Sequence, residues 1–357
     1  MVDYFFISSP LHLMLSANQA IQNPSHRRVA IVMSKDAQAR QRYADVARLC
    51  PQLFDEVIAL PYQKRRLFHI RPAKTFRMLR HLFEPHTDIR VFTGNDRRME
   101  FQYAMHVISR QHANVEGIYL DEGAVTYIGH KSMHRIQHRY IDPLFKKIFY
   151  GRWYKLAITT GASAWVNTVC AAFPDAIHPL LRSKKVVGIP SAPFQTQAYK
   201  DLALAMLKDY PDMAPQLRGI KMIWTLPHEG AYLKGASEYQ DIARQLAMYL
   251  QPSQIAIKPH PRITNQSILH ALFPGMQLLE HRIGMEALLP LLDCDCVVAG
   301  DISSTLLTTR WLRPDLQVVG IMCNASVPAE IRHLYQDVLK IPMLFPQDLK
   351  TYFQQRA

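Results

Sequence analysis

Short apolar runs alternate with amphipathic stretches along the first third of the chain. The apolar runs occupy residues 3–8, 28–34, 55–61, 88–94 and 116–123. Between them, residues 10–22 and 36–49 repeat their apolar side chains at helical spacing. Strands that alternate with helices predict a mostly parallel sheet covered on both faces.

The same alternation begins again after residue 215. Apolar runs occupy residues 220–227, 254–261, 276–281, 295–301 and 316–322, and helical spacing marks residues 238–250 and 330–339. We therefore predict an α/β fold of two Rossmann-like domains, residues 1–185 and 186–357, joined through the Pro-, Gln- and Ser-rich segment 184–199. The domains are expected to face a central cleft lined by strand-end loops. A return of the last helix to the N-terminal domain is left open.

The composition of the 357-residue chain, with 48% apolar residues, is that of a globular protein. No run approaches the roughly 20 apolar residues of a membrane helix, and the start of the chain lacks the cationic region and cleavage site of a signal peptide. Five cysteines without a C-x-x-C pair argue against a disulfide framework or a thiolate zinc site. We expect a cytoplasmic protein.

The positive charge of the chain is concentrated in two segments. Segments 64–80 and 131–155 hold fourteen of the 42 Lys and Arg residues but only one of the 29 Asp and Glu residues, Asp142. They account for the whole formal net charge of +13, and apolar side chains lie among their cations. This composition suits a membrane surface or an anionic polymer as partner. Two solvated basic helix faces are the simpler alternative.

Two adjacent carboxylates, Asp121 and Glu122, follow the fifth apolar run and precede Gly123. Neighbouring side chains on an extended segment point in opposite directions, so one can face the cleft while the other braces the loop. A carboxylate there can take a proton from a hydroxyl group, although an acidic turn without catalytic function fits the same residues. We assign Ser9 and His12, after the first run, and Gly123 to acceptor binding.

In the second domain, Lys258, His260, Pro261 and Arg262 follow a buried run. Prolines on both sides of His260 restrict the backbone, so the imidazole is presented with little conformational freedom. A histidine flanked by cations suits a general acid or a donor to a leaving phosphate.

A third motif joins another buried run to a helical pattern through Gly300, Ser303, Ser304 and Thr305. Backbone N–H groups and hydroxyls at a helix N-terminus form an anion site, which predicts phosphate binding, whereas simple capping needs only one hydroxyl. The loop after the first run of this domain adds His228 and Glu229 to the candidates. The sequence contains no Walker loop, no G-x-G-x-x-G after the first run and no typical metal-ligand spacing.

The order of these motifs resembles that of bacterial sialyltransferases of the GT-B fold, which carry an acidic-acidic-Gly, a His-Pro and a Ser-Ser or Ser-Thr motif. Within that group, the motifs resemble those of capsular polysialyltransferases and lipooligosaccharide sialyltransferases. The resemblance implies an inverting transfer from CMP-sialic acid to a capsular, lipooligosaccharide or O-antigen glycan, with no metal and no other cofactor. It also implies that the protein works at the inner face of the cytoplasmic membrane.

By the same resemblance, Asp121 is the general base, His260 is the general acid, and Ser303 and Ser304 bind the donor phosphate. In the lipooligosaccharide branch the base comes from the loop after the first strand of the second domain, which would give this role to Glu229 and leave Asp121 structural. Glu122 is the second catalytic candidate of the acidic motif.

Two other functions remain open at this point. A transferase for another CMP-activated acidic sugar, such as Kdo, legionaminic acid or pseudaminic acid, would release the same leaving group, so the motifs fit it equally well. A non-catalytic protein that binds anionic polymers would use the basic segments alone. The sequence shows no known nucleic-acid module, and we expect no nucleic-acid partner.

Overall fold

The computed structural model describes residues 1–62, 73–83, 88–112, 114–129, 141–263, 265–322 and 327–354. Residues 64–72 and 131–140 of the two basic segments, and Cys323, lie outside these ranges. The chain forms two compact units, Met1–Ala205 and Met206–Ala357, which we call unit 1 and unit 2.

Unit 1 is built on a parallel sheet of seven strands in the order β3-β2-β1-β4-β5-β6-β7. The strands are β1 (Val2–Ile7), β2 (Arg27–Val32), β3 (Glu56–Ala59), β4 (Ile89–Thr93), β5 (Val115–Leu120), β6 (Thr168–Ala171) and β7 (Lys185–Gly188). The helices are α1 (Pro10–Gln22), α2 (Ala37–Arg48), α3 (Ala73–Arg80), α4 (Met99–Gln111), α5 (Ala124–Ile128), α6 (Asp142–Tyr150) and α7 (Gln197–Met206).

Strand β1 lies inside this sheet and is buried along its whole length. Phe5 stacks on Phe92 of β4 at 4.7 Å between ring centroids, and Phe6 meets Phe101 of α4 at 6.0 Å. Successive side chains of β1 therefore pack on opposite faces of the sheet. This explains why the strand reads as a continuous apolar run instead of an alternating one.

Unit 2 carries a parallel sheet of six strands in the order β10-β9-β8-β11-β12-β13. The strands are β8 (Met222–Thr225), β9 (Ile255–Lys258), β10 (Gln277–Leu278), β11 (Val297–Gly300), β12 (Gln317–Ile321) and β13 (Met343–Leu344). The helices are α8 (Met213–Gln216), α9 (Glu229–Tyr232), α10 (Ala236–Leu246), α11 (Ser267–Leu272), α12 (Met285–Leu288), α13 (Ser304–Leu312), α14 (Ala329–Arg332) and α15 (Leu349–Gln354). A π-helical segment, His333–Val338, continues α14.

Both sheets reverse their strand order at one point. In unit 1 the reversal lies between β1 and β4, and in unit 2 it lies between β8 and β11. Loops that leave the carboxyl ends of strands at such a point separate and leave a crevice, where ligands of open α/β sheets bind. All three predicted motifs follow strands at or next to these reversals.

The sequence prediction of alternating strands and helices is confirmed for β1–β5 and β8–β12, and α1 begins and ends at the predicted residues. The predicted domain boundary at residue 185 was wrong. Segment 185–188 forms β7, which pairs with β6 at the edge of the first sheet, and Asn18 of α1 donates a hydrogen bond to the carbonyl of Pro190 at 2.9 Å. The side chains of this edge strand are mostly exposed, so its segment lacks the buried apolar run of a central strand and was predicted to be a linker.

The last helix packs on its own unit. Leu349 belongs to the core of unit 2, and Phe353 stacks on Tyr249 at 5.7 Å. Within the described ranges, no helix has the length and hydrophobicity needed to cross a bilayer, and no three His, Cys, Asp or Glu side chains are placed to hold a metal ion.

Candidate functional site

Asp121 is fully buried at the carboxyl end of β5 and accepts four hydrogen bonds. Its Oδ1 accepts from the Gly123 N–H at 2.8 Å and the Thr126 hydroxyl at 2.9 Å. Its Oδ2 accepts from the Tyr127 hydroxyl and from the Ala172 N–H, the latter at 2.9 Å. These bonds fasten β5, α5 and the loop after β6 to one another.

Asp121 is therefore an anchor of these loops in the structure, and its role as the general base stays a prediction. Burial raises the pKa of its carboxyl group even though the four hydrogen bonds act in the opposite direction. With no exposed surface and with both oxygens occupied, the carboxylate offers no lone pair to an acceptor hydroxyl.

Glu122 is the accessible carboxylate of the pair, with a side chain that is 29% exposed. Its partial burial, and then the nearby Asp96 carboxylate, raise its pKa from the ordinary 4.5 to about 7. A hydrogen bond from Asn95 and the charge of Arg97 act against this rise. A carboxylate with such a pKa, at the mouth of a crevice, has the properties of a general base.

His12 lies 3.9 Å from Glu122 and is only 2% exposed, and its role in acceptor binding stays a prediction. Its Nδ1 makes a hydrogen bond with the Ser8 hydroxyl at 3.0 Å, and its buried Nε2 has no hydrogen-bond partner among the described residues. Burial and the charge of Arg98 lower its pKa to about 4. The ring fits because residue 94 is glycine, since a Cβ there would come within 2.0 Å of Nε2.

Ser9 and Gly123 both lie at helix starts in this region. The Ser9 hydroxyl caps α1 by accepting from the N–H of His12 at 3.2 Å, and Gly123 precedes α5 with a φ of 76° that favours glycine. Their roles in acceptor binding stay predictions.

Asp96, which sequence reasoning missed, follows β4 and is fully buried. It accepts hydrogen bonds from the N–H groups of Gly161 and Ser163 at 2.8 and 2.7 Å, and burial raises its pKa. Its signal in the sequence was the same as that of Asp121, namely an acid after a buried run. Both carboxylates fix loops beside Glu122, and Asp96 also raises the pKa of Glu122.

Unit 2 has a pocket of about 270 Å³ at the carboxyl ends of β8, β9 and β11. Six of the residues predicted to bind the donor or to act on it line this pocket: Lys258, His260, Pro261, Ser303, Ser304 and Thr305. Gly300 ends β11 below them, and a Cβ at this position would come within 2.1 Å of the Thr225 hydroxyl. The structure thus brings the His-Pro and Ser-Ser motifs together at one site.

The imidazole of His260 is held in one tautomer. Its Nδ1 accepts a hydrogen bond from the Arg262 N–H at 3.1 Å, so the proton of the neutral ring is on Nε2. Partial burial, followed by the charges of His228, Arg262 and Lys258, lowers the pKa of His260. The ring of His228 lies 5.6 Å from that of His260, and its Nδ1 accepts from the Gly230 N–H at the start of α9. Glu229, partly exposed, is the first residue of α9.

Lys258 is buried at the end of β9, and its ammonium group donates to the carbonyls of Pro259 and His281 at 3.0 and 3.1 Å. Burial lowers its pKa to about 8. Glu286 of α12 also lines the pocket and was missed by the sequence analysis. Burial raises the pKa of Glu286, and the nearby charge of Lys258 acts against this rise.

Ser303 stands at the start of α13 but does not cap it with its side chain. Its hydroxyl oxygen is buried and, in the part of the chain that the structure describes, accepts and donates no hydrogen bond. Its carbonyl accepts from the hydroxyl of Tyr335, in the π-helical segment, at 2.6 Å. A buried hydroxyl without a partner at a helix N-terminus is a free donor for an anion.

Comparison with solved structures shows which fold these two units make. An α/β-galactoside α-2,3-sialyltransferase from Photobacterium phosphoreum matches with a TM-score of 0.59 and 13% identity, over 98% of this chain and 99% of that chain. A sialyltransferase from Photobacterium damsela matches with 0.53 and 13%, over 96% and 81%. A UDP-GlcNAc 2-epimerase from Neisseria meningitidis, bound to UDP-GlcNAc, matches with 0.53 and 11%, over 99% and 91%.

No protein-family model and no curated protein sequence matches the chain. The structural likeness nevertheless covers both units. The protein therefore has the GT-B fold, as the sequence predicted, and shares it both with bacterial sialyltransferases and with epimerases that act on a nucleotide sugar.

Proposed function

We propose that the protein is a glycosyltransferase that moves sialic acid from CMP-sialic acid to a hydroxyl group of a glycan acceptor, with inversion and without a metal ion. The observation that carries this proposal is the pocket of unit 2, in which three strand ends present hydrogen-bond donors to one small volume. Such a volume suits a phosphate group.

The donors in this pocket match the charge that develops in the reaction. When the bond between the anomeric carbon and the phosphate oxygen breaks, negative charge grows on the CMP phosphate. The N–H groups at the start of α13, the Ser303 hydroxyl and the Nε2–H of His260 can all donate to that phosphate. The bound anion favours the protonated imidazole, so that His260 can supply a proton to the leaving group.

The remaining lining residues support donor binding. The ammonium group of Lys258 gives the pocket a positive potential, and two of its three protons are donated to carbonyl groups. The Glu286 carboxylate can accept hydrogen bonds from sugar hydroxyls of the nucleotide. We therefore include Glu286 in the donor site.

The general base in this proposal is Glu122. The acceptor hydroxyl attacks the anomeric carbon, its proton passes to Glu122, and CMP leaves from the opposite face in a single displacement. Glu122 is preferred to Glu229 because its pKa of about 7 lets it accept a proton at neutral pH and bind it firmly.

Nucleotide binding tests the donor site first. Calorimetric titration with CMP, UMP and UDP should show CMP bound most tightly, and the double substitution of Ser303→Ala and Ser304→Ala should weaken CMP binding at least about tenfold. Ser109→Ala, on an exposed part of α4, is the matched control. Preference for UDP, with interconversion of UDP-GlcNAc at C2, would instead identify an epimerase.

Transfer assays test the reaction. A panel of CMP-activated acidic sugars with galactose-terminated and sialylated acceptors should give product with CMP-sialic acid, at an unchanged rate in EDTA. Product from CMP-Kdo or CMP-legionaminic acid alone would keep the mechanism and change the sugar. If no nucleotide binds and anionic polymers do, the protein is a binding module and the proposal fails.

A further inference from the structure

Helix α6 in unit 1 exposes a stripe of large apolar side chains. Ile141, which precedes the helix, and Leu144, Phe145 and Ile148 within it are between 47% and 65% exposed. Their spacing of three, four and seven residues places them on one face of the helix. The surface of a soluble protein rarely exposes four large apolar side chains on one helix face, because removing each of them from water lowers the free energy. We call these four residues the α6 stripe.

Cations lie beside the α6 stripe. Lys147 is exposed in the last turn of the helix, Arg152 is exposed just after it, and the ammonium group of Lys146 lies 5.5 Å from the ring centre of Tyr154. Segment 131–155, which includes α6, contains seven Lys and Arg residues and one acid. The stripe is therefore bordered by positive charge.

Helix α3, from the other basic segment, belongs to the same region of unit 1. Phe76 on its buried face meets the ring of Trp153 at 5.7 Å, and Tyr150 at the end of α6 meets the same ring at 6.2 Å. The opposite face of α3 exposes Lys74, Arg77 and Arg80. The fold thus brings α3 and the end of α6, one from each basic segment, into contact with the same ring, Trp153.

We propose that α6 docks on an anionic lipid surface. Its stripe enters the boundary between headgroups and acyl chains, and the lysines and arginines of α6 and α3 contact the phosphate groups of the lipids. An apolar helix face bordered by cations is the composition of helices that lie in a membrane interface. A second copy of the chain fits this face poorly, because two basic surfaces repel each other. The inference does not depend on the proposed function, since none of these residues belongs to the candidate site.

Sedimentation with vesicles tests the docking directly. The whole protein is mixed with vesicles of phosphatidylglycerol and phosphatidylcholine in equal parts, and with vesicles of phosphatidylcholine alone. We expect binding to the first and little to the second. Raising NaCl from about 50 to about 500 mM should reduce binding to the anionic vesicles strongly, because surface charges are screened.

Substitutions separate the apolar from the ionic contribution. Leu144→Ser with Ile148→Ser should lower the vesicle partition coefficient at least about tenfold, since both side chains leave the lipid. The matched control is Leu204→Ser with Met248→Ser, two similarly exposed apolar residues elsewhere, which should bind as the unchanged protein does. Lys147→Glu with Arg77→Glu should abolish the preference for anionic lipid. Thermal unfolding should be unaltered in all variants, because each replaced side chain is exposed.

Three outcomes would overturn the inference. One is vesicle binding that the α6 double variant leaves unchanged. Another is a dimer in the absence of lipid that dissociates when Leu144 and Ile148 are replaced, which would make the stripe a contact between copies. The last is tighter binding to a soluble anionic polymer than to vesicles, with no effect of the stripe. In that case the basic residues alone bind the partner.

Discussion

The imidazole of His12, in the first turn of α1, and the carboxylate of Glu122, just after β5, lie 3.9 Å apart, measured from Nε2 to Oε1. Since the pKa of His12 is lowered to about 4, the ring is neutral near pH 7 and places no positive charge beside the carboxylate. A cation at that distance would favour the ionised form of Glu122 and lower its pKa. The neutral ring therefore helps to keep this carboxylate a proton acceptor at neutral pH.

Replacing Glu122 should remove catalysis without unfolding the protein. Glu122→Gln keeps the size of the side chain but cannot accept the proton, so kcat should fall about a hundredfold or more. Donor binding, measured as the Kd of CMP, should be unchanged. Transfer at the original rate in Glu122→Gln would exclude Glu122 as the base. If Glu229→Gln instead lost kcat, the role would belong to Glu229.

Replacing Asp121 should act on stability instead. In Asp121→Asn one acceptor oxygen becomes an NH₂ group that faces two donors, so the free energy of unfolding should fall by about 3 kcal/mol. Urea unfolding followed by circular dichroism measures this loss. A variant of unchanged stability with no activity would return the catalytic role to Asp121.

The rate of transfer should depend on pH through Glu122. Because the base must be ionised and its pKa is about 7, kcat/KM should rise with pH and level off above this value. The rising limb should be absent from the residual activity of Glu122→Gln. A limb that persists in this variant would belong to another group.

The same raised pKa makes stability depend on pH. The folded protein holds a proton on Glu122 up to about 7, whereas the unfolded chain releases it near 4.5. The stabilisation from protonated Glu122 is thus complete below the unfolded pKa and is lost as the pH rises through the folded one. We expect Glu122→Gln to be more stable than the unchanged protein by about 2 kcal/mol near pH 8, and by much less near pH 5. Urea unfolding at both pH values measures the difference.

Binding of CMP should take up a proton at His260. The pKa of this residue is lowered in the free protein, and a bound phosphate raises it, so between the two values the ring becomes protonated on binding. Calorimetry in buffers of different ionisation enthalpy measures the uptake, which should disappear in His260→Ala. The surface variant His333→Ala, whose ring pairs with Asp337, is the control. Undiminished uptake in His260→Ala would contradict the assignment.

Tyr335 should act on the donor site through the backbone of Ser303. Tyr335→Phe removes the hydrogen bond to the Ser303 carbonyl and loosens the start of α13, so KM for the donor should rise about fivefold while kcat changes little. The loss of stability should be only about 1 kcal/mol. Tyr249→Phe, whose ring stacks on Phe353, is the control. A fall of kcat in Tyr335→Phe as large as the rise in KM would contradict a purely positioning role.

Local patterns were sufficient to predict the main strands and the grouping of the donor motifs. Strands β1–β5 and β8–β12 are each marked by an apolar run, and β9 and β11 were recognised in this way. The motifs that follow them meet because both strands flank β8. Strands β6 and β13 are short, and β7 has exposed side chains, so none of them produced a comparable signal.

The choice between Asp121 and Glu122 was not available from the sequence. The alternation of an extended chain shows that the two side chains point to opposite sides, but not which one points inward. Asp121 points inward because it accepts hydrogen bonds from the Ala172 N–H, which is distant in the chain, and from the hydroxyls of Thr126 and Tyr127. The raised pKa of Glu122 likewise depends on its burial and then on Asp96, both of which only the fold produces.

The hydrogen bond from the Ala172 N–H to Asp121 joins residues 51 positions apart in the chain. During synthesis on the ribosome, Asp121 is made before Ala172, so the hydrogen bond from the Ala172 N–H to its Oδ2 can form only later. Asp96 waits in the same way for Gly161 and Ser163. The loops after β4 and β5 therefore gain their full set of hydrogen bonds only after residue 172 has left the ribosomal exit tunnel.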